Sequence, residues 1–469
     1  MSGPSDSFDL IIIGGGPAGL AAAVESARHG VRSLILDNHP EPGGSVFRDL
    51  VAAARHRPGD LACFSAYAEA GLELLAAVKR AGTTILSGSS VWSVEPDGSV
   101  HASTPAGPRT MHASRLLIAA GAQERPCPIP GWTRPGVMTA GAAQLLMKQS
   151  GLVPTGRVVL AGSGPLLTMV AAQLAGFGAD VAAVLDTSTI GDALAGLPRL
   201  PAAVSGGPDL LSYGLRLVHR LRRAHIPIHR GVKNLRILGK GDDGPAETIF
   251  WDGPGGRGSI AADLVLLHAG LIPDTRITRL LGCAQEWSAE QWSWRPRLDG
   301  WGNSSIETVA VAGDGTGIAG WRAAIAAGRM AALDTACRLH RLSVAERDRL
   351  ARPLQRTRRR AMGLRRFLDR IAPPGAGFLA PPDETILCRC EGVTAGTVRN
   401  LLRDGCAGVN QIKAFTRCGM GSCQGRFCSA SLANLVVAET GRTMEDVGEM
   451  TVRPPLEPMS LEVLANSEE

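Results

Sequence analysis

The chain has no basic N-terminal segment running into an apolar stretch, and nowhere does it carry about eighteen uninterrupted apolar residues. Neither a secretory leader nor a membrane-spanning helix is therefore expected, and the chain reads as cytoplasmic. A surplus of one charge is also scarce: 49 Lys+Arg stand against 43 Asp+Glu, a net +6. Eleven Arg against three acids between Arg341 and Arg370 supply more than that surplus, so the remainder is slightly acidic and no nucleic-acid partner is expected. Cysteine is nearly missing from the first four fifths, where Cys63, Cys127, Cys283 and Cys337 stand singly, while six of the ten lie between Cys388 and Cys428. In a chain without a leader, such clustering favours a metal or iron-sulfur site over structural disulfides. With 45% hydrophobic residues in 469, disorder is excluded and several ordinary domains can form. What is plentiful is glycine, 58 residues, about 12% against the roughly 7% usual in proteins. That abundance suggests close backbone approaches of the phosphate-binding kind.

Apolar FDLIII (Phe8 to Ile13), then GGGPAGLAAAVESARHG, then VRSLILD read as strand, glycine turn, helix and strand. The same order returns from Arg157 in RVVLAGSGPLLTMVAAQLAGFGADVAAVLD, so two nucleotide-type halves are expected. Pro and Gly cluster at Pro126 to Gly136 and at Ala372 to Pro382, marking a crossing and a domain boundary. Between them, Leu354, Ala361, Leu364, Phe367, Leu368 and Ile371 recur at near-helical spacing among arginines. This predicts an amphipathic linker helix broken at Pro353, its arginines a solvated face.

Gly14, Gly16 and Gly19 form G-x-G-x-x-G, with Pro17 and Ala18 inside it. The three glycines allow a tight turn, the approach of a pyrophosphate and close helix packing, and the phosphates sit on the helix N-terminus. Asp37 ends the second strand, placed to accept from a ribose hydroxyl.

Three further segments resemble the two-dinucleotide-binding flavoproteins: Gly43-Gly44 after the second strand, LLIAAG ending in Ala120 and Gly121, and VAVAGDGTGIAG containing Gly313 and Asp314. The resemblance implies FAD rather than NAD at the first turn, with Asp314 on the ribityl chain. It also implies an α/β fold of two Rossmann-like domains, the second inserted in the first. Disulfide reductases of that family carry a redox cysteine pair near the flavin. Here Cys63 and Cys127 stand alone, so dithiol chemistry is not expected.

In the second half Gly162, Gly164 and the terminal acid Asp186 recur, but Leu167 occupies the third glycine position and Met169 supplies no carboxylate. A leucine there should hold helix and strand apart and reshape the cradle. A working NAD(P)H site, an altered adenine-nucleotide site and an empty structural repeat all remain open.

Cys388 and Cys390, two apart in an extended segment, can aim both sulfurs one way. Cys418, Cys423 and Cys428 recur at spacings of five, which on a helix would scatter them by about 140° each. A loop is therefore expected, supplied by Gly419, Gly421 and Gly425, with Ser429 capping a helix that carries Leu432, Leu435 and Val436. Arg389, Lys413, Arg417 and Arg426 are expected to surround the thiolates, and Cys406, in a turn, is not counted as a ligand.

C-x-C followed by TRCGMGSCQGRFC resembles the bacterioferritin-associated-ferredoxin-like [2Fe-2S] domain, small and mainly helical. That resemblance points to Cys388, Cys390, Cys423 and Cys428 as ligands, with Cys418 the alternative and structural zinc the competing metal. With GAQERPCPIPGWTRPGVMTAGAAQLL, these features resemble, from Phe8 to the tail, the alpha subunits of heteromeric amino-acid dehydrogenases: opine, D-hydroxyproline and proline dehydrogenases and hydrogen cyanide synthase. The resemblance implies an FAD-binding domain at 1–135 and 290–335, an NAD(P)-binding-like domain at 136–289, a linker at 336–383, the [2Fe-2S] domain at 384–448 and an extended tail at 449–469. The tail is expected near a partner, with little core of its own.

By function, the resemblance implies an electron-transfer subunit. A sarcosine-oxidase-like beta flavoprotein oxidises the C–N bond of an opine, hydroxyproline, proline or glycine, and electrons pass through FAD and [2Fe-2S] to an external acceptor. An FMN at a subunit interface, a small ferredoxin-like gamma subunit, and membrane contact no more than peripheral, through the acceptor, belong to the same expectation. No His/carboxylate pair sits in a motif that would obviously deprotonate an amine, so catalytic residues are left unassigned. The competing readings are a self-sufficient NAD(P)H:acceptor reductase and a non-enzymatic docking module.

Overall fold

The computed structural model describes residues 7–241 and 244–465. The apolar strand Ser7–Ile13 lies inside a seven-stranded sheet, parallel to Ser33–Leu36 on one side and Gly107–Ile118 on the other, with Ile12 opposite both Ile35 and Leu117. Burial on both faces explains why these strands read as continuous apolar runs. The helix Pro17–Arg28 starts on proline and is lined with alanine because it packs between this sheet and the helix Trp321–Arg338. A side chain at Gly328 would collide with the Ala18 carbonyl. The late strand Val309–Val311 returns to the first sheet, pairing Val311 with Ile118.

A second parallel sheet runs, in spatial order, Ile228–Arg230, Asp180–Asp186, Arg157–Ser163, Leu264–Ala269 and Val137–Thr139. Its core holds Val158, Leu160, Leu167, Val170 and Leu266. The two units are joined by an antiparallel ribbon of Ala122–Glu124 with Leu271–Pro273. Two Rossmann-like units and a small, mainly helical C-terminal unit are the expected fold class. In the last unit Leu387, Val398, Ile412, Leu432, Leu435 and Val436 form a separate core.

Three local expectations are corrected. Pro353 does not break the arginine-rich helix, which runs from Val344 to Ile371. Proline removes one backbone donor, but Ala351 and Leu354 on either side of it are buried against Trp321–Arg338, and that packing carries the helix through. The tail does not avoid the core: Leu456 is buried in the first unit and its N–H donates to the Trp92 carbonyl at 2.9 Å. Ser429 is not a cap either. The helix Cys428–Thr440 starts one residue earlier, after Phe427, because the Ser429 N–H is taken by the Gly425 carbonyl at 3.0 Å. No single helix among the described residues is long and apolar enough to cross a membrane.

Candidate functional site

The first glycine turn is tight because it admits no side chains. Gly14 has φ +111°, and a Cβ on it or on Gly19 would collide with the carbonyls of Ala119 and Gly14 respectively. The Gly43 N–H donates to the Gly15 carbonyl at 2.8 Å, and a Cβ on Gly44 would come within 2.9 Å of the Gly16 Cα. The glycine pair thus lies against the turn at the N-terminus of Pro17–Arg28. Asp37 is buried, with Oδ2 accepting from the Gly15 N–H at 2.6 Å and Oδ1 from the His39 N–H at 2.8 Å. Burial pushes its pKa up, but the hydrogen bonds from His39 and Gly15 outweigh it and hold the carboxylate below its ordinary value. Its charge therefore braces the turn.

The other flavin segments lie beside the start of the same helix and one another. A Cβ on Gly315 would lie 3.5 Å from the Gly121 carbonyl, next to Ala120, and one on Gly313 would lie 2.9 Å from the Ala18 Cβ. Asp314 Oδ1 accepts from the Ala319 and Gly320 N–H groups at 2.9 and 3.1 Å. Its Oδ2 has no protein donor among the described residues, and burial raises the pKa despite those bonds. A cradle that excludes side chains and a carboxylate with one unused oxygen fit a dinucleotide with a polyol chain.

The second turn is built differently. Gly16 has φ −78°, whereas Gly164 has φ +109°, and Gly162 has φ +138°. Leu167 stands wholly buried at the position that Gly19 holds in the first turn, where there is no room for a Cβ. Asp186 Oδ1 accepts from the Ser188 N–H and hydroxyl at 2.9 and 2.6 Å, and Arg230 stands 3.8 Å from Oδ2. Beside this turn lies a pair that sequence motifs did not announce. His268 Nδ1 is 2.6 Å from Glu124 Oε1, and Glu124 Oε2 accepts from the Gly141 N–H at 2.9 Å. The His268 ring faces Gly164, 3.5 Å from where its Cβ would be. The only available signal was a histidine near the end of the apolar strand LVLLHA.

In the C-terminal unit the sulfurs of Cys388, Cys418 and Cys428 lie within 4.8 Å of one another and are buried. Cys423 contacts Cys428 and Cys390, while Cys390 is exposed, 3.7 Å from the Ser422 hydroxyl. All five cysteines singled out in the sequence are thus gathered, but the tight trio includes Cys418 rather than Cys390 or Cys423. Cys406 is buried outside the trio. Cys388 is held well below the ordinary thiol range, first by the Cys418 thiol, then by Cys428 and by the Gly419 and Glu391 N–H groups. Cys428 hydrogen bonds likewise lower Cys423, whereas Cys418 and Cys428 are pushed up, chiefly by Cys388. A set of cysteine sulfurs packed this closely fits an iron-sulfur centre.

The expected cationic ring is mostly engaged elsewhere. Arg389 lies over Trp132, Arg417 pairs with Glu391 at 3.0 Å, Arg426 pairs with Glu457 at 2.6 Å, and Lys413, which interacts electrostatically with Cys428 and Cys418, donates to the Thr451 carbonyl at 3.1 Å. Backbone amides supply the positive end instead. No disulfide forms among the described residues, and burial pushes the thiols of Cys127 and Cys63 up.

Residues 8–336 match the pyridine nucleotide-disulphide oxidoreductase family, and residues 384–468 match the sarcosine oxidase A3 domain. The chain is 39% identical to the A subunit of opine oxidase from Rhizobium meliloti (strain 1021), over 98% of both chains. It is 32% identical to hydrogen cyanide synthase subunit HcnB of Pseudomonas aeruginosa, over 97% of this chain and 98% of that one. The crystal structure of L-proline dehydrogenase from P. horikoshii shares the fold, with a TM-score of 0.68 at 18% identity over 98% of this chain and 79% of that one. The chain therefore belongs to the pyridine nucleotide-disulphide oxidoreductase family, in the group of flavin oxidoreductase chains that contains the opine oxidase A subunit and HcnB.

Proposed function

We propose that this chain is the electron-transfer (alpha) subunit of a heteromeric flavin dehydrogenase. A beta flavoprotein of sarcosine-oxidase type oxidises the C–N bond of an amino-acid-type substrate (an opine, hydroxyproline, proline or glycine), and electrons leave this chain for an external acceptor. The observation that carries the reading is the docking of the cysteine loop on the flavin unit. Gln123, two residues past Gly121, donates to the Arg426 carbonyl at 2.8 Å, and Arg426 lies two residues before Cys428. The names of the full-length relatives, the opine oxidase A subunit and HcnB, support the substrate class and a multisubunit setting.

In this reading Gly14, Gly16, Pro17, Ala18 and Gly19 hold the FAD pyrophosphate, Asp37 its ribose and Asp314 the ribityl chain. Gly43, Gly44, Ala120, Gly121 and Gly313 shape the cradle. A [2Fe-2S] cluster takes four of Cys388, Cys390, Cys418, Cys423 and Cys428. Bound together, a flavin and such a cluster supply conversion between two-electron and one-electron transfer. Gly162, Gly164 and Asp186 offer an altered adenine-nucleotide site in which His268 stands over the phosphate position. The domain limits at 135, 289, 335, 383 and 448, an interfacial FMN, a cytoplasmic location and a gamma subunit complete the proposal.

Co-expression with the adjacent flavoprotein gene should give a stable complex with dye-linked dehydrogenase activity on one of these substrates. Comparable activity from this chain alone would refute the assignment.

A further inference from the structure

Residues 190 to 206 form one nearly continuous helical run: Ile190–Gly196, a single tighter turn at Leu197–Arg199, then Leu200–Gly206. It extends about 25 Å along the surface of the second unit. Its inner side is small because the arginine-rich helix presses on it. A Cβ on Gly196 would collide with Ile371, and one on Gly206 with the Arg360 carbonyl. Its outer side carries Ile190, Leu194, Leu197, Leu200 and Val204 at helical spacing, exposed by 76, 60, 53, 36 and 50%. Ala193, Pro198, Pro201 and Ala202 are exposed between them, and from Ala193 to Pro208 the only charged residue is Arg199. Five of the chain's exposed large apolar side chains thus share one ridge, far more than scattered surface leucines would give.

Arginine outnumbers acid on the helix beneath the ridge and on the helix that follows it. On the long helix beneath it, Arg352, Arg356, Arg359 and Arg360 are exposed and have no carboxylate partner among the described residues. The helix that continues from the ridge, Pro208–Arg223, ends in Arg220, Arg222 and Arg223, also exposed and without such a partner. The acids nearby are already engaged, Asp192 with Arg370 at 3.3 Å, Asp209 with Arg322 at 2.5 Å, and Glu290 with both Arg199 and Arg366 at 3.5 Å. Aliphatic side chains flanked by arginine suit the boundary between acyl chains and anionic headgroups.

We propose that the ridge Ile190 to Val204, with the arginines beside it, docks this chain peripherally on an anionic lipid surface. Leucine and isoleucine side chains enter the headgroup boundary, and the guanidinium groups meet lipid phosphates. The inference is independent of the substrate and of the electron path.

The test is flotation of the full, flavin-loaded chain with phosphatidylcholine vesicles, with and without phosphatidylglycerol. Binding to the anionic vesicles should be at least about tenfold tighter and should weaken with salt. The double variant Leu194→Asp/Leu197→Asp should lose that binding about tenfold while keeping its flavin absorbance. Leu194→Gln/Leu197→Gln is the milder form should the first misfold, and Arg359→Glu/Arg360→Glu should erase the preference for anionic lipid. Equal binding to both vesicles, or unchanged binding by the Leu variants, would overturn the proposal. So would a Leu variant that keeps vesicle binding but no longer co-purifies with the beta flavoprotein, which would make the ridge a protein interface.

Discussion

The Gln123 side-chain amide donates to the Arg426 carbonyl at 2.8 Å, fastening the loop that carries Cys423 and Cys428 to the segment leaving Gly121. The Arg426 guanidinium in turn pairs with Glu457 at 2.6 Å, and Glu457 accepts from the Ser90 hydroxyl at 2.9 Å. The tail is thus a strap holding the cysteine loop against the flavin unit. In the Gln123→Ala/Arg426→Ala variant, flavin and iron contents should be kept while electron transfer between flavin and cluster slows several-fold. Stopped-flow absorbance reads both. An unchanged rate would show that the strap is not needed for transfer.

Glycine at the first turn is required by space. A Cβ on Gly44 would stand 2.9 Å from the Gly16 Cα at a backbone φ of +60°, whereas one on Gly16 would find Gly44 at 3.8 Å. Gly44→Ala should therefore strain the apo fold, by about 1 kcal/mol or more. Gly16→Val should leave the fold intact but block a pyrophosphate. Denaturant melts and flavin content separate the two effects. A folded Gly16→Val protein with full flavin would remove the cradle assignment.

The cysteines divide the structure from the resemblance. Cys388 and Cys428 belong to both sets, Cys418 to the buried trio, and Cys390 and Cys423 to the motif. Cys388→Ser and Cys428→Ser should abolish the reduced-cluster EPR signal, and Cys406→Ser should preserve it. Cys418→Ser decides between the sets: a lost signal there with a retained signal in Cys390→Ser makes Cys418 a ligand. Zinc without iron in anaerobically purified protein would exclude the cluster.

Local features were legible in the sequence and distant pairings were not. Gly14, Gly16, Gly19 and Asp37 announce the first turn because strand, turn, helix and acid follow within a short stretch. The same text cannot show that Asp37 would be drawn onto the Gly15 N–H, since that depends on the fold of the turn itself. His268 and Glu124 are 144 residues apart, and Gln123 and Arg426 are 303 apart, brought together only by sheet topology and domain docking. Pro353 misled for a related reason: its intrinsic helix-breaking tendency is local, and the packing of Ala351 and Leu354 that overrides it is not.

The second turn should be a poor hydride port. A buried Leu167 replaces the packing glycine, Gly164 adopts a different φ from Gly16, and the His268 ring lies against Gly164. Mixing oxidised protein with NADH or NADPH should leave the flavin absorbance nearly unchanged over seconds. Fast stoichiometric bleaching would instead support the self-sufficient reductase.

Lys148 should make stability depend on pH through the loop that follows Gly44. Its ammonium is buried, donates to the Ser45 and Val46 carbonyls at 2.9 and 3.2 Å and lies 4.8 Å from the centre of the Tyr67 ring. Burial, with a smaller contribution from Arg48, pulls its pKa down to about 7, whereas in the unfolded chain it titrates near about 10.4. Between those values the unfolded chain holds a proton that the folded one has released, so stability rises with pH across that window and the cost of the buried charge is fully present below it. The melting temperature of the parent should therefore climb relative to that of Lys148→Met as pH goes from 7 towards 10. The variant, lacking the titrating group, should also be less stable at the upper end, where the parent's neutral amine still bonds both carbonyls. Comparing the two proteins at each pH cancels the titration of every other group. Parallel melting profiles would show that Lys148 keeps an ordinary pKa and that the Ser45–Val46 loop does not respond to protons through it.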